Sequence, residues 1–172
     1  MFMKQIFTIF VLIFVLSGCG NNSEINLWGK AFHGATEAQI KEIYPESISS
    51  AEDSKDDFSG KLKFNNYEID GDKFEVIFFF DKQGGLAQVG LTPANESKLT
   101  ETKFTSFKDG LLVKYGKALE ENKPKSSFIK EYQGKWVTDE KVIVQVNYNV
   151  YDKDDYGYLY IIYYLPESAS KI

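Results

Sequence analysis

Alternating apolar and polar residues predict β-strands along most of the chain after residue 60. Residues 74–80 carry Phe or Val at every second position, and Ile77 and Phe79 make their other side only partly polar. Both faces of such a strand must be covered, so the segment predicts a central strand of a sheet. Further strands are predicted at residues 61–69, 86–91, 142–150 and 158–165, and residues 128–137 predict one strand with a bulge or two short strands.

Two segments have helical spacing of their apolar residues. Thr36 is followed three residues later by Gln39, which is the pattern of a capping box, and Pro45 ends this first helix. Ser106 is the predicted N-cap of a second helix, which Gly116 ends. The apolar stripe predicted for the second helix consists of Leu111, Leu112 and Tyr115.

The order of these elements occurs twice along the chain. A helix precedes about three strands in residues 36–91, and again in residues 106–165, although few residues are identical between the halves. Asp70-Gly71 predicts a tight hairpin inside the first half. We therefore predict an α+β fold, with two short helices packed on one face of an antiparallel sheet and a duplicated helix-then-three-strand unit. Residues 25–172 are expected to form a single domain.

The N-terminal residues follow a different pattern. Lys4 precedes an apolar run at residues 6–16, which is too short for a transmembrane helix of roughly 20 apolar residues. The run ends at Leu16-Ser17-Gly18-Cys19, which resembles the lipobox of bacterial lipoproteins. The alternatives from the residues alone are an ordinary cleaved signal peptide and an uncleaved membrane helix.

The lipobox resemblance implies both an attachment and a location. Residues 1–18 would be a signal peptide, Cys19 would carry a diacylglyceryl thioether, and residues 19–24 would be a lipidated cysteine and flexible tether. Two or three acyl chains hold a protein firmly on a membrane. Gly20 stands where an aspartate would retain a lipoprotein in the inner membrane. We expect a lipid-anchored protein of the bacterial cell envelope, on the outer membrane and facing the periplasm if the cell is diderm.

Composition argues against several classes of protein. The net charge is −5, and all 20 positive side chains are Lys. The chain therefore lacks the arginine guanidinium, which binds a phosphate through two parallel hydrogen bonds. Nucleic acid is not expected as a partner. Cys19 is the single cysteine and His33 the single histidine. These counts rule out an intramolecular disulfide, and we expect no metal site, no cofactor and no enzymatic activity.

Two polar features each have a functional and a simpler interpretation. His33 precedes the first helix and could act as a base or a ligand, but it has no partner motif, so a surface or capping histidine is preferred. Asp152, Asp154 and Asp155 are reminiscent of a calcium loop. Because Tyr156 and Tyr163 stand where an EF-hand needs acidic residues, a hairpin turn is preferred.

The last predicted strand carries the candidate binding site. Its two faces differ: Leu159, Ile161, Tyr163 and Leu165 share the predicted core side. Tyrosine is a common anchor of protein interfaces, so the residues expected to bind a partner are Tyr158, Tyr160, Tyr164 and Phe79. In the alternative interpretation, loops or residues 25–32 cover the face of the sheet that carries these four residues.

The predicted layout also resembles two families of small bacterial proteins. Gly34-Ala35-Thr36 precedes the first helix, and Lys114-Tyr115-Gly116 ends the second. With these short motifs, the helix-then-strands units are similar to those of the SmpA/OmlA group and of beta-lactamase-inhibitory proteins. This chain lacks the disulfides of the inhibitory proteins. The resemblance implies a non-enzymatic protein-binding or scaffold module. The alternative is an inhibitor or immunity-type protein acting on an envelope hydrolase, with residues 52–57 as a plug.

Overall fold

The computed structural model describes residues 24–49, 61–122, 129–151 and 156–166. Cys19 with its lipobox, residues 52–57 and the aspartates at 152–155 lie outside the described residues. What the sequence predicts for them stays a prediction. Within the described ranges, no helix is long and apolar enough to cross a membrane.

The described part of the chain contains two helices and eleven strands. The helices are α1 (Glu37–Ile43) and α2 (Glu101–Tyr115). The strands before α2 are β1 (Asn26–Trp28), β2 (Ala31–Phe32), β3 (Ile48–Ser49), β4 (Lys61–Ile69), β5 (Asp72–Phe80), β6 (Leu86–Pro93) and β7 (Lys98–Thr100). The strands after α2 are β8 (Glu120–Glu121), β9 (Ile129–Val137), β10 (Ile143–Tyr151) and β11 (Tyr156–Tyr164).

Nine of these strands form one antiparallel sheet, while β1 and β2 pair as a separate hairpin. The sheet order is β3-β4-β5-β6-β11-β10-β9-β8, and β7 also pairs with β11. Each half therefore consists of a helix, a short edge strand and a three-stranded meander, and the third strands of the two meanders, β6 and β11, pair with each other. This arrangement confirms the predicted α+β fold.

Strand register defines the face of the sheet that carries the core. A row of directly paired residues crosses five strands from β5 to β9, and all its members are buried: Phe78, Val89, Tyr163, Val144 and Trp136. Paired residues of neighbouring strands point to the same side of a sheet. We call this side the inner face and the opposite side the outer face.

Both helices pack on the inner face. Tyr44, which caps α1, stacks on Phe64 of β4 with ring centroids 5.5 Å apart. Phe104 of α2 stacks on Tyr148 of β10 at 4.0 Å, and the Tyr148 hydroxyl donates a hydrogen bond of 2.9 Å to the carbonyl of Leu99. Aromatic stacking thus attaches each helix to its own half of the sheet.

The two helix starts differ in how well the sequence predicts them. The Thr36 side chain accepts from the Gln39 amide, and the Gln39 side chain accepts from the Thr36 amide at 2.8 Å, which confirms the capping box. The prediction for Ser106 is wrong, because α2 begins at Glu101 and Thr100 is its N-cap. The earlier start brings Phe104 into the core.

The stripe of α2 and the course of β9 also correct the predictions. Leu112 is 52% exposed, so it does not belong to the buried stripe, which combines Leu111 with Phe104. Gly116 ends the helix as predicted, with a φ of 77°. Residues 129–137 form one strand that pairs with β10 without a bulge, because its residues stay in step with Ile143–Tyr151 throughout.

Candidate functional site on the outer face

The outer face is the side of the sheet that the helices leave uncovered. Trp28 of the β1–β2 hairpin packs on Tyr44, Phe64 and Tyr67, so this hairpin lies on the inner face. The alternative interpretation required residues 25–32 to cover the outer face. They do not cover it. Leu159 and Ile161 point to the inner face and are fully buried, as predicted.

The four predicted binding residues all point to the outer face, but their exposure differs. Tyr158 is 38% exposed, whereas Tyr164 is only 8% exposed and donates its hydroxyl to Gln145 Oε1 at 3.1 Å. Tyr160 and Phe79 are half-buried. The row of tyrosines along β11 is therefore accessible to a partner at Tyr158 and inaccessible at Tyr164.

Tyr160 and Phe79 come together over Gly90 of β6. A Cβ atom added to Gly90 would lie 2.7 Å from Tyr160 Oη and 3.1 Å from Phe79 Cε2, so both rings use the space that the missing side chain leaves. Burial raises the pKa of the Tyr160 hydroxyl to about 12, although a hydrogen bond with the Gln88 side chain acts in the opposite direction. Tyr160 is thus a neutral, packed ring at neutral pH.

Two further tyrosines extend the accessible end. Tyr151 of β10 is 47% exposed and meets Tyr158 edge-on at 5.7 Å, and Tyr156 meets Tyr158 at 6.0 Å. The Lys98 ammonium lies 4.8 Å from the centre of the Tyr156 ring. Sequence reasoning missed both tyrosines, because it ended the first strand at Val150 and assigned Tyr156 to the turn. Each nevertheless continues the two-residue period of its strand's outer row.

A groove of ≈ 420 Å³ adjoins these tyrosines. It lies where β11 changes partners, because Ile161 still pairs with Leu91 of β6 whereas Tyr158 pairs with Lys98 of β7. The Thr92 hydroxyl holds the junction by donating to the Leu159 carbonyl at 2.9 Å. The groove is lined by Lys63, Glu75, Ile77, Thr92, Ser97, Asn147, Asn149, Tyr158, Leu159 and Tyr160.

Several polar groups of the groove already have partners within the chain. Lys63 Nζ and Glu75 Oε2 form an ion pair of 3.0 Å, so the groove carries no net charge. Asn147 Oδ1 accepts from Gln133 Nε2 at 3.1 Å and from Gln145 Nε2 at 3.4 Å. These partners satisfy the acceptor of Asn147.

Asn149 differs from its neighbour on the same strand. Its Oδ1 atom is buried and has no hydrogen-bond partner in the described part of the chain. A buried acceptor without a donor costs about 1–3 kcal/mol, so such atoms are rare in folded proteins. The wall of the groove therefore contains one unpaired acceptor next to an exposed tyrosine, and a polar group reaches this acceptor only when the Asn149 side chain turns toward the groove.

Comparison with known proteins identifies no similar protein. No protein-family model matches the chain, and neither a curated protein nor a solved structure is significantly similar to it. The chemistry of the residues must therefore carry the functional argument. His33 is exposed before α1 and does not line the groove, and the described residues contain no group of three or more His, Cys, Asp or Glu that could hold a metal.

Proposed function

We propose that this chain is a lipid-anchored protein of the bacterial cell envelope that binds an extended segment of a partner protein in the outer-face groove. The observation that carries the proposal is the buried, unpaired Asn149 Oδ1 in a groove next to the exposed ring of Tyr158. The lipobox at Cys19 supports the anchor.

The acceptor at Asn149 supports a polypeptide as the occupant. Every residue of an extended segment except proline presents a backbone N–H. When the Asn149 side chain turns toward the groove, donation of one such group to Oδ1 would remove the cost of the unpaired atom. The Ser97 hydroxyl lines the same groove and can donate to a carbonyl of that segment, whereas the Thr92 proton is already used on the Leu159 carbonyl. The groove thus offers both kinds of partner that a peptide backbone needs.

Charge and aromatic content support the same occupant. Because Lys63 and Glu75 neutralise each other, an uncharged segment matches the groove better than an acidic or basic one. Tyr158 in the groove and Tyr151 next to it provide large, partly exposed rings with polar tips. Tyrosines of this kind are common anchors in protein interfaces.

Site-specific photo-crosslinking in cells tests the proposed binding. The full-length chain would carry a photoreactive amino acid in place of Tyr158, and the matched control would carry it in place of Val113, which is 88% exposed on α2 of the inner face. We expect one envelope protein to be crosslinked from position 158 and not from position 113. Introducing Asn149→Leu into the first chain should reduce that crosslink severalfold.

Other outcomes of this experiment would redirect the proposal. Equal crosslinking from positions 158 and 113, or a crosslink that Asn149→Leu leaves unchanged, would contradict a groove-bound segment. A crosslink only to a second copy of the chain would assign the face to self-association. If the partner is a hydrolase that loses activity when bound, the binding protein is an inhibitor.

The anchor has a separate test. Fatty-acid labelling of cells should mark the native chain, and Cys19→Ser should abolish the label and leave the precursor uncleaved, with residues 1–18 still present in its measured mass. Ser17→Ala is the matched control, because it keeps a small residue two positions before the cysteine and should preserve labelling. Labelling of the Cys19→Ser chain would disprove the lipidation site.

A further inference from the structure

We propose that the cavity between the two helices on the inner face binds a small organic ammonium ion. The cavity has a volume of ≈ 670 Å³ and lies on the opposite side of the sheet from the groove. This inference concerns a second site, so it does not depend on the proposed function.

Six of the fifteen residues that line the cavity are aromatic. Trp28 meets Tyr67 edge-on with ring centroids 4.9 Å apart, and it lies 5.7 Å from the Tyr44 ring. The aromatic residues that line the cavity are Trp28, Tyr44, Phe64, Tyr67, Tyr115 and Tyr163. The faces of such rings carry partial negative charge and attract cations, and cages of several rings bind quaternary ammonium groups in proteins.

The rim adds formal negative charge. Glu46, Asp139 and Glu140 are exposed at the mouth, against the single cation of Lys114. Glu140 Oε2 accepts a hydrogen bond of 3.1 Å from the Asn26 amide, which fixes this part of the rim to the β1 strand. Carboxylates around an aromatic cavity favour a cation over a neutral or anionic ligand.

The chain itself already places a cation on one of these rings. Lys114 Nζ lies 4.9 Å from the centroid of the Tyr115 ring, within the range of a cation–π interaction. Deeper in the cavity, burial raises the pKa of the Tyr163 hydroxyl, and a hydrogen bond with Tyr115 acts in the same direction. The inner wall therefore stays neutral, and the charge that would repel a bound cation comes from Lys114 at the mouth.

The ammonium group could belong to a free amine or to a lipid headgroup. A headgroup would bring a phosphate to the mouth, where three carboxylates would repel it. The rim therefore favours a free ammonium compound. Choline and glycerophosphocholine share the trimethylammonium group and differ in the phosphate, so comparing them distinguishes the two sources.

Titration of the full-length chain in a non-ionic detergent tests this site. Trp136→Phe leaves Trp28 as the single tryptophan, and choline should change the fluorescence of this chain saturably. The neutral isostere 3,3-dimethyl-1-butanol should bind at least about tenfold more weakly, as loss of a cation–π interaction implies. Glycerophosphocholine should bind more weakly than choline. Tighter binding of glycerophosphocholine would support the ammonium site and assign it to a headgroup.

Three variants separate ligand binding from a structural role. Tyr67→Leu keeps an apolar side chain at a position that is 37% exposed, and it should weaken choline binding about fivefold. Lys114→Met should strengthen binding about two- to fivefold, because it removes the repelling charge at the mouth. Leu119→Ala, at a position that is 70% exposed and lines neither the cavity nor the groove, is the control and should leave choline binding unchanged.

Two results would overturn the inference. Equal affinity for choline and its neutral isostere would show that the cavity does not select a cation. Absence of a saturable signal with every compound at millimolar concentration, from a chain whose circular dichroism and melting curve are those of a folded protein, would show that the cavity is not a binding site for this class of ligand.

Discussion

The hydroxyl of Tyr160 on β11 lies over Gly90 on β6, at a point where a Cβ atom would approach Tyr160 Oη to 2.7 Å and Tyr160 Cε2 to 3.2 Å. These two strands join the halves of the sheet. Gly90 is thus required for space, and it lets an aromatic ring close the outer face across the junction.

Gly90→Ala should lower the free energy of unfolding by about 1–3 kcal/mol, because the added methyl group forces Tyr160 and Phe79 to move. Chemical denaturation measures the change. Gly110→Ala in α2 is the matched control, since its Cβ would meet nothing within 4 Å, and it should raise stability by up to about 1 kcal/mol. If Gly90→Ala in a Tyr160→Phe background costs as much as in the native chain, the hydroxyl is not the obstacle.

Asn149→Leu should stabilise the fold by about 1 kcal/mol while weakening partner capture, because it removes a buried acceptor that has no internal donor. Thermal melting gives the stability and the crosslink from position 158 gives the binding. Asn147→Leu is the control on the same strand and face. It removes an acceptor that Gln133 and Gln145 both use, so it should not stabilise the fold. Equal stabilisation by both variants would contradict a special role for Asn149.

Thr100→Ala should lower the free energy of unfolding by about 1 kcal/mol, because it removes the side-chain acceptor for the Lys103 amide at the start of α2. Ser106→Ala should be neutral or slightly stabilising, since Ser106 lies inside the helix, where alanine is the better helix former. Denaturant titrations of the two variants distinguish the two helix starts. A larger loss from Ser106→Ala would contradict the observed start.

The buried phenol of Tyr160 predicts a loss of stability at high pH. Below pH 10 the phenol is neutral in the folded and unfolded chains, so its packing contributes fully. Between pH 10 and about 12 the unfolded chain releases the proton while the folded chain retains it, so the free energy of unfolding falls.

Tyr160→Phe should therefore make the decline across this pH range shallower, by roughly 2 kcal/mol at its upper end. Denaturation midpoints measured at several pH values give the slope. Tyr158→Phe changes the exposed ring two residues away on the same strand and serves as the control. Identical slopes for the native chain and Tyr160→Phe would contradict the burial argument.

Most elements of the fold follow from local patterns that one segment contains by itself. The hairpin predicted at Asp70-Gly71 forms with positive φ angles of 50° and 83°, which these residues tolerate. The capping box at Thr36 and the stop at Gly116 have the same local origin. The start of α2 was missed because Thr100 and Ser106 are both acceptable caps, and only the burial of Phe104 against Tyr148 selects between them.

The candidate site was predicted only in part for a related reason. Alternation places Tyr158, Tyr160 and Tyr164 on one side of a strand, but exposure depends on which neighbours pack beside each ring. Gln145 lies on β10 and Gly90 on β6, so their effects on Tyr164 and Tyr160 require the pairing of three strands. No single-segment pattern contains that information.

The sequence by itself determined the order of the helices and long strands, the α+β class and the expectation of a lipid anchor at Cys19, because caps, turns, alternation and the lipobox are local features. The tertiary structure alone decided that β6 pairs with β11, that Asn149 retains an unpaired acceptor and that six aromatic residues surround one cavity. Each of these depends on residues far apart in the chain, which only the folded sheet brings together.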